Sequence, residues 1–184
     1  MEKLLYHDIY SAVYSHNSDL KLNQSSTPCE IRHAIRWIMR DNPDIFWFAH
    51  QYHYDEASFT IHFQYTFSSE RVKTIQQSIN DVIENDFCIE YVKELSQKEQ
   101  IAYVYKWLVT YCNYNVNSAY NQSIYSVFVR RNSVCTGYAK AAQYLFNLLG
   151  VESRLVFGRL HNDKEDGRHC WNLVKVDNEY YHFD

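Results

Sequence analysis

The chain has 184 residues and a formal net charge of −4 at pH 7, which is enough length to bury a real core in one domain or two small lobes. Hydrophobic residues make up 46% and charged residues 22%, and 17 Tyr stand against 4 Gly and 2 Pro, which excludes a disordered or low-complexity chain. An isoelectric point near 6.1 gives no general attraction to nucleic acid or to an anionic membrane, so neither is expected as a partner.

The opening stretch, MEKLLYHDIYSAVYSHNSD, is broken by polar and acidic residues where a signal peptide needs an apolar block. No segment approaches the roughly 20 apolar residues of a membrane span. As given, the chain is expected to be cytoplasmic, with an excised domain of an exported protein as the alternative. Cys29, Cys88, Cys112, Cys135 and Cys170 are odd in number, widely spaced and without a C-x-x-C pair. That argues against both a disulfide framework and a zinc knuckle.

The first clear element is TPCEIRHAIRWIMRDNP. Thr27 with Glu30 forms a capping box, Pro28 occupies the first helical position, and Ile31, Ala34, Ile35 and Ile38 make one apolar stripe that stops at Asn42-Pro43. Phe59, Ile61, Phe63, Tyr65 and Phe67 then alternate with polar residues, the period of a half-buried strand, and Ile45 to Tyr54 is its expected partner across a turn near Asp55 to Ser58. From Ser69, the spacing of Val72, Ile75, Ile79, Val82 and Ile83 predicts a helix. This helix–hairpin–helix segment, residues 1–95, reads as scaffold or a substrate-shaping extension. His50, His53 and His62 lie in strand sequence with no cysteine or carboxylate at ligand spacing, so no metal site is expected there.

Residues 96–184 form the second expected region. Ser96 and Glu99 make another capping box, followed by Ile101, Tyr105, Leu108, Val109 and Cys112 along one helix face. Asn113 to Arg131 shows no clear period and reads as a long loop lining a site. Then comes SVCTGYAKAAQYLFNLLG, a helix with Tyr138, Ala142, Leu145, Phe146 and Leu149 on one side and Gly150 just past its end. Cys135 sits at its first turn, where free backbone N–H groups and the positive end of the dipole favour an anion. On this ground alone it is either a nucleophile or a small core residue.

A strand over Val151 to Gly158 and a polar loop with His161, Asn162, Asp163, Glu165, Asp166 and Gly167 lead to RHCWNLVKVDNEYYHFD. The loop acids do not match calcium-loop spacing and read as a solvated turn. Asp177-Asn178 is a plausible two-residue hairpin turn. With that turn, Asp184 faces Trp171 and lies diagonal to His169 on one sheet face, within reach of a hydrogen bond. A three-residue turn would put Asp184 on the other face. The two-residue turn supplies nucleophile, base and orienter in the order Cys, His, Asp. His182 shares the parity of Asp184 but is the poorer base and reads as surface or supporting, while Cys170 alternates toward the core.

The linked pieces Cys-x-Gly-Tyr-Ala, His-x-Trp-Asn and Tyr-His-x-Asp, spread over Ser96 to Asp184, resemble the transglutaminase-like superfamily, whose members share a papain-like core. The resemblance implies an α+β fold with the nucleophile at a helix N-terminus packed on an antiparallel sheet, here with the N-terminal extension added. It implies Cys135 as nucleophile, His169 as base and acid, and Asp184 as orienter. Gly137 and Tyr138 would support the nucleophile, with Gly137 letting the backbone bend beside it, and Trp171 and Asn172 would brace the histidine strand. Ser133 and Cys170 stand where the family usually has glycine and alanine, both small replacements. Family members usually continue past the aspartate with a Thr-Trp segment, so a shortened or divergent C-terminus is expected. The implied activity is attack on an amide of a peptide or protein through a Cys thioester; some family members use calcium, but without a calcium-loop spacing no cofactor or metal is expected here. Hydrolysis is preferred, and glutamine-directed cross-linking or a catalytically silent binding module are the alternatives. The oxyanion would be held by the Cys135 N–H and a donor from the preceding loop, with Gln122 as the candidate.

Overall fold

The computed structural model describes residues 2–162 and 165–184, and the chain divides into two compact units, Met1–Lys73 and Thr74–Asp184. Both combine helices with mostly antiparallel strands, the exception being a two-residue parallel pair of Asn113–Tyr114 with Asn132–Ser133, and the arrangement is the expected α+β one. Among the described residues no helix is long and apolar enough to cross a membrane.

The first unit contains α1 (Glu2–Tyr14), β1 (Asp19–Lys21), α2 (Pro28–Asp41), β2 (Phe48–Asp55) and β3 (Thr60–Tyr65). At α2 the capping box is complete: the Glu30 N–H donates to Thr27 Oγ1 at 3.2 Å and the Thr27 N–H to Glu30 Oε2 at 2.7 Å. Ile31, Ala34, Ile35 and Ile38 are buried as the stripe predicts. The three strands form an antiparallel sheet in the order β1-β3-β2. His62 is paired with Asp19 and its ring lies over His53 at 6.1 Å, while His50 stacks on Phe48 at 5.8 Å. Among the described residues no group of three or more His, Cys, Asp or Glu is arranged to hold a metal ion.

Two elements of this unit carry too weak a sequence pattern to be expected. α1 hides only Ile9, Ala12 and Val13 and leaves Leu4 and Tyr14 exposed, so its period is diluted. β1 is three residues long, too short for any alternation to register. β2 also begins later than expected, because Ile45 to Trp47 are buried ahead of the strand and a bulge between Phe48 and Gln51 breaks the two-residue period.

α3 (Ser69–Asn85) crosses the division between the units and buries Ile75, Ile79 and Ile83. The second unit continues with α4 (Ile89–Lys93), α5 (Gln97–Tyr111), β4 (Asn113–Tyr114), α6 (Ile124–Phe128), β5 (Asn132–Ser133), α7 (Cys135–Leu149), β6 (Ser153–Asn162), β7 (Glu165–Val176) and β8 (Glu179–Phe183). The boundary expected after residue 95 falls inside this unit. Phe87 packs edge-on against Tyr103 at 5.4 Å and Trp107 at 5.2 Å, and Gln76 Nε2 donates to Tyr144 Oη at 3.3 Å, so residues 74–95 share its core.

α7 is the centre of this unit: Ala139, Ala141, Ala142, Leu145 and Phe146 are buried, and it packs on β6, β7 and α6. It ends at Gly150 with φ 70°, the left-handed position that glycine takes without cost. β6, β7 and β8 form an antiparallel meander.

The structure departs from the sequence pattern in three places. The span 113–131 is not a plain loop, since it contains β4 and α6, whose five residues are all buried; a short helix enclosed on every side shows no amphipathic period. On α5 the buried stripe is Gln100, Val104 and Leu108, while Tyr105 and Val109 are exposed. Finally, β6 runs on to Asn162 and pairs with β7 from Glu165, so His161 belongs to a strand and not to a loop. Asp163 lies outside the described residues, as do the side chains of His161, Glu165 and Asp166.

Candidate active site

Cys135 opens α7, and its N-cap, Val134, has no side-chain oxygen with which to occupy the first-turn amides. The thiol is half-buried and packs against Ala139, Leu155 and Cys170. The residues ahead of it are fixed from both sides. The Asn115 N–H donates to Ser133 O at 2.8 Å, and the Val134 N–H donates to Asn121 O at 3.1 Å. Ser133 Oγ donates to the same Asn121 O at 2.7 Å and lies 2.7 Å from Ser126 Oγ in the buried interior. Asn121 O thereby holds both residues that precede the thiol.

Gly137 belongs to this packing. Its φ is not positive, so it serves for space and not for the bend the resemblance implies. A Cβ there would run into Ser133 Oγ and would sit 2.8 Å from Asn121 O. Gly137→Ala is therefore expected to cost about 1–3 kcal/mol through overpacking, read as a lowered denaturation midpoint. Adding Ser133→Gly to it should recover part of that loss, and a double mutant no better than Gly137→Ala would place the clash elsewhere. Tyr138 donates its hydroxyl to Cys112 O, anchoring the first turn of α7 to the end of α5, and burial raises its phenol pKa.

The β7–β8 hairpin turns at Asp177 and Asn178, both with positive φ, and pairs Val176 with Glu179 through to Asn172 with Phe183. This is the register of the two-residue turn. Asp184 follows immediately, and His169 Nε2 lies 2.8 Å from each of its carboxylate oxygens. An ionised carboxylate only accepts, so Nε2 is the donor in this contact, which leaves Nδ1 as the ring nitrogen turned away from Asp184. The side chain of His169 is 15% exposed and that of Asp184 55%.

Trp171 stacks on His169 at 5.7 Å and 23°, and its Nε1–H donates to His182 Nδ1 at 2.8 Å. His182 thus touches the indole and not the thiol side of the site. Gly158 leaves the space Trp171 occupies, since a Cβ there would come within 2.6 Å of the indole ring; nothing in its local sequence announces this, because the demand comes from the neighbouring strand. Asn172, fully buried, donates Nδ2 to Ala139 O at 3.0 Å and ties β7 to α7.

Cys135, His169 and Asp184 line one cavity of about 460 Å³, together with Tyr138, Trp171 and Asn172. Gln122 is not brought there: it is exposed and absent from the cavity wall. The aperiodic sequence around it gave no means of placing it. Cys170 is buried against Ala139 and Leu155, in the core position expected for it.

No curated protein matches the chain. Among solved structures, a crystal structure of a TGase matches with a TM-score of 0.51 at 15% identity, covering 92% of this chain and 52% of that one. A Cytophaga hutchinsonii protein provisionally assigned as a cysteine protease gives a TM-score of 0.49 at 17% identity, over 65% of this chain and 43% of its own. The chain thus spans about half the length of the TGase and less of the second protein, and at these identities the first likeness speaks to the fold. The family model described as the Transglutaminase-like superfamily matches residues 87–184, just over half of the chain and the part that carries the cavity. The chain belongs to the transglutaminase-like superfamily, whose members are in general cysteine enzymes.

Proposed function

We propose that the chain attacks amide bonds of a peptide or protein through a thioester at Cys135 and resolves that thioester with water. One observation carries the reading: an imidazole whose Nε2 is held at 2.8 Å by both oxygens of Asp184 stands in the same cavity as a cysteine at a helix N-terminus. In this reading His169 Nδ1 takes the thiol proton and the thiolate adds to the amide carbon. The Cys135 N–H supports the oxyanion, and the imidazolium returns its proton to the departing amine. Nδ1 then deprotonates a water that attacks the thioester, releasing the acid and restoring the thiol.

Water is favoured as the acceptor because the site is open. Tyr105, Val109 and Tyr114 on its wall are 47%, 58% and 64% exposed, so this side of the cavity leaves water a path to a thioester. A lysine amine in place of water would give cross-linking, and incorporation of a labelled primary amine into a glutamine peptide separates the two outcomes.

The experiment that tests the reading is the pH dependence of Cys135 alkylation by iodoacetamide in the parent and in His169→Ala. The modified site is read by mass spectrometry, because Cys29 and Cys88 are also exposed. Alkylation of Cys135 should persist to lower pH in the parent than in the variant. Identical profiles would mean a retained fold without this chemistry.

A further inference from the structure

The apolar face of α5 is wider than its packing needs. Gln100, Val104 and Leu108 form the buried stripe, yet the adjoining Tyr105 and Val109 are 47% and 58% exposed. Both line the cavity that holds Cys135 and His169, as does Tyr114 at 64% exposure. Clustered apolar exposure beside a reactive group marks a surface meant to be covered.

The wall is also largely aromatic and uncharged. Tyr105 meets Phe183 edge-on at 5.9 Å, Phe183 meets Phe146 at 5.1 Å, and Tyr114 stacks on Tyr138 at 6.4 Å. Among the described residues that line the cavity none is Lys, Arg or Glu, and the carboxylate of Asp184 directs both oxygens at His169. A charged side chain laid against Tyr105, Val109 and Tyr114 would lose hydration with no counter-charge from those three residues, whereas an apolar one would cover surface already exposed.

We infer that the Tyr105–Val109–Tyr114 wall is a subsite for a neutral apolar side chain, aromatic or large aliphatic, on the residue flanking the amide that Cys135 attacks. Which bond reacts rests on the reading above; which side chain binds rests on the wall alone.

The test separates the two by using Cys135→Ala, which binds without turnover. Its affinity is measured by calorimetry for capped tripeptide amides that differ only in a central Phe, Leu, Lys or Glu. The Phe and Leu peptides should bind at least about tenfold more tightly than the Lys and Glu peptides. Val109→Glu in the same background should abolish that preference. Val109→Thr, nearly isosteric at an exposed position, should weaken it in part and guards against a folding artefact. Equal affinities, tighter binding of a charged peptide, no binding of any peptide, or a preference indifferent to Val109→Glu would overturn the inference. A Phe preference in a protein whose thiol is inert would keep the subsite and remove the chemistry. A reactive Cys135 with no side-chain preference would do the reverse.

Discussion

His169→Ala is expected to lower amide hydrolysis by about 10³- to 10⁴-fold. In the proposed mechanism the imidazole has two tasks, taking the thiol proton and returning it to the amine, and among the described residues no second base takes its place: His182 accepts from the Trp171 indole at 2.8 Å. The Asp184 variants divide the remaining effect. Asp184→Asn keeps an oxygen that accepts the His169 Nε2–H and loses only the charge, so a loss of about tenfold is expected; Asp184→Ala also frees the ring to rotate, and the loss should reach about 10²-fold. The carboxylate side chain is 55% exposed, so its charge is partly screened and its orienting role dominates. Initial rates on an activated amide, with circular dichroism to confirm folding, check the series. His169→Ala within a few-fold of the parent would sink the mechanism, and equal losses for Asn and Ala would mean that charge matters more than aim.

Lys140→Met is expected to stabilise the protein at neutral pH by on the order of 3 kcal/mol. Lys140 lies inside α7 with 6% exposure, and burial lowers its ammonium from 10.5 to about 8. The sign follows from proton counting. Below about pH 8 both folded and unfolded chains carry the charge, and the folded one bears its full desolvation cost. Between about 8 and 10.5 the unfolded chain binds more protons, so stability rises with pH across that window. Above about 10 Tyr138, whose pKa is raised chiefly by burial, acts in the opposite direction. Urea unfolding of parent and variant at pH 7, 8, 9 and 10 should show the advantage of Lys140→Met shrinking as pH rises. A constant difference, or a destabilised variant at pH 7, would mean that the ammonium finds compensation in the fold.

Legibility in the sequence followed locality. Capping boxes at Thr27–Glu30 and Ser96–Glu99 are set by side chains three residues apart, and both form. The β7–β8 register was readable because two residues, Asp177 and Asn178, fix it, and the diagonal from Asp184 to His169 follows from strand geometry. Features set by distant neighbours were hidden. α6 is buried all round, so it lacks a polar face to give it a period. The room left by Gly137 and Gly158 is dictated by Ser133 and by Trp171, on other elements. The apolar face of α5 was visible as a face, but hydrophobicity alone cannot tell a residue that meets the core from one that meets a cavity, and Tyr105 and Val109 do the second. Gln122 failed for a related reason: a span without period fixes the presence of a residue but not its direction.

Placing Cys135 on the first residue of a helix with eight buried residues has a consequence for how this unit can fluctuate. α7 cannot fray or slide locally without opening the interior, so hydrogen exchange along it should approach the limit set by global unfolding. The Cys135 sulfur is then tied to the slowest and most cooperative part of the unit. Any adaptation to differently shaped ligands falls to the solvent-facing side chains of α5, which can change rotamer without disturbing that interior.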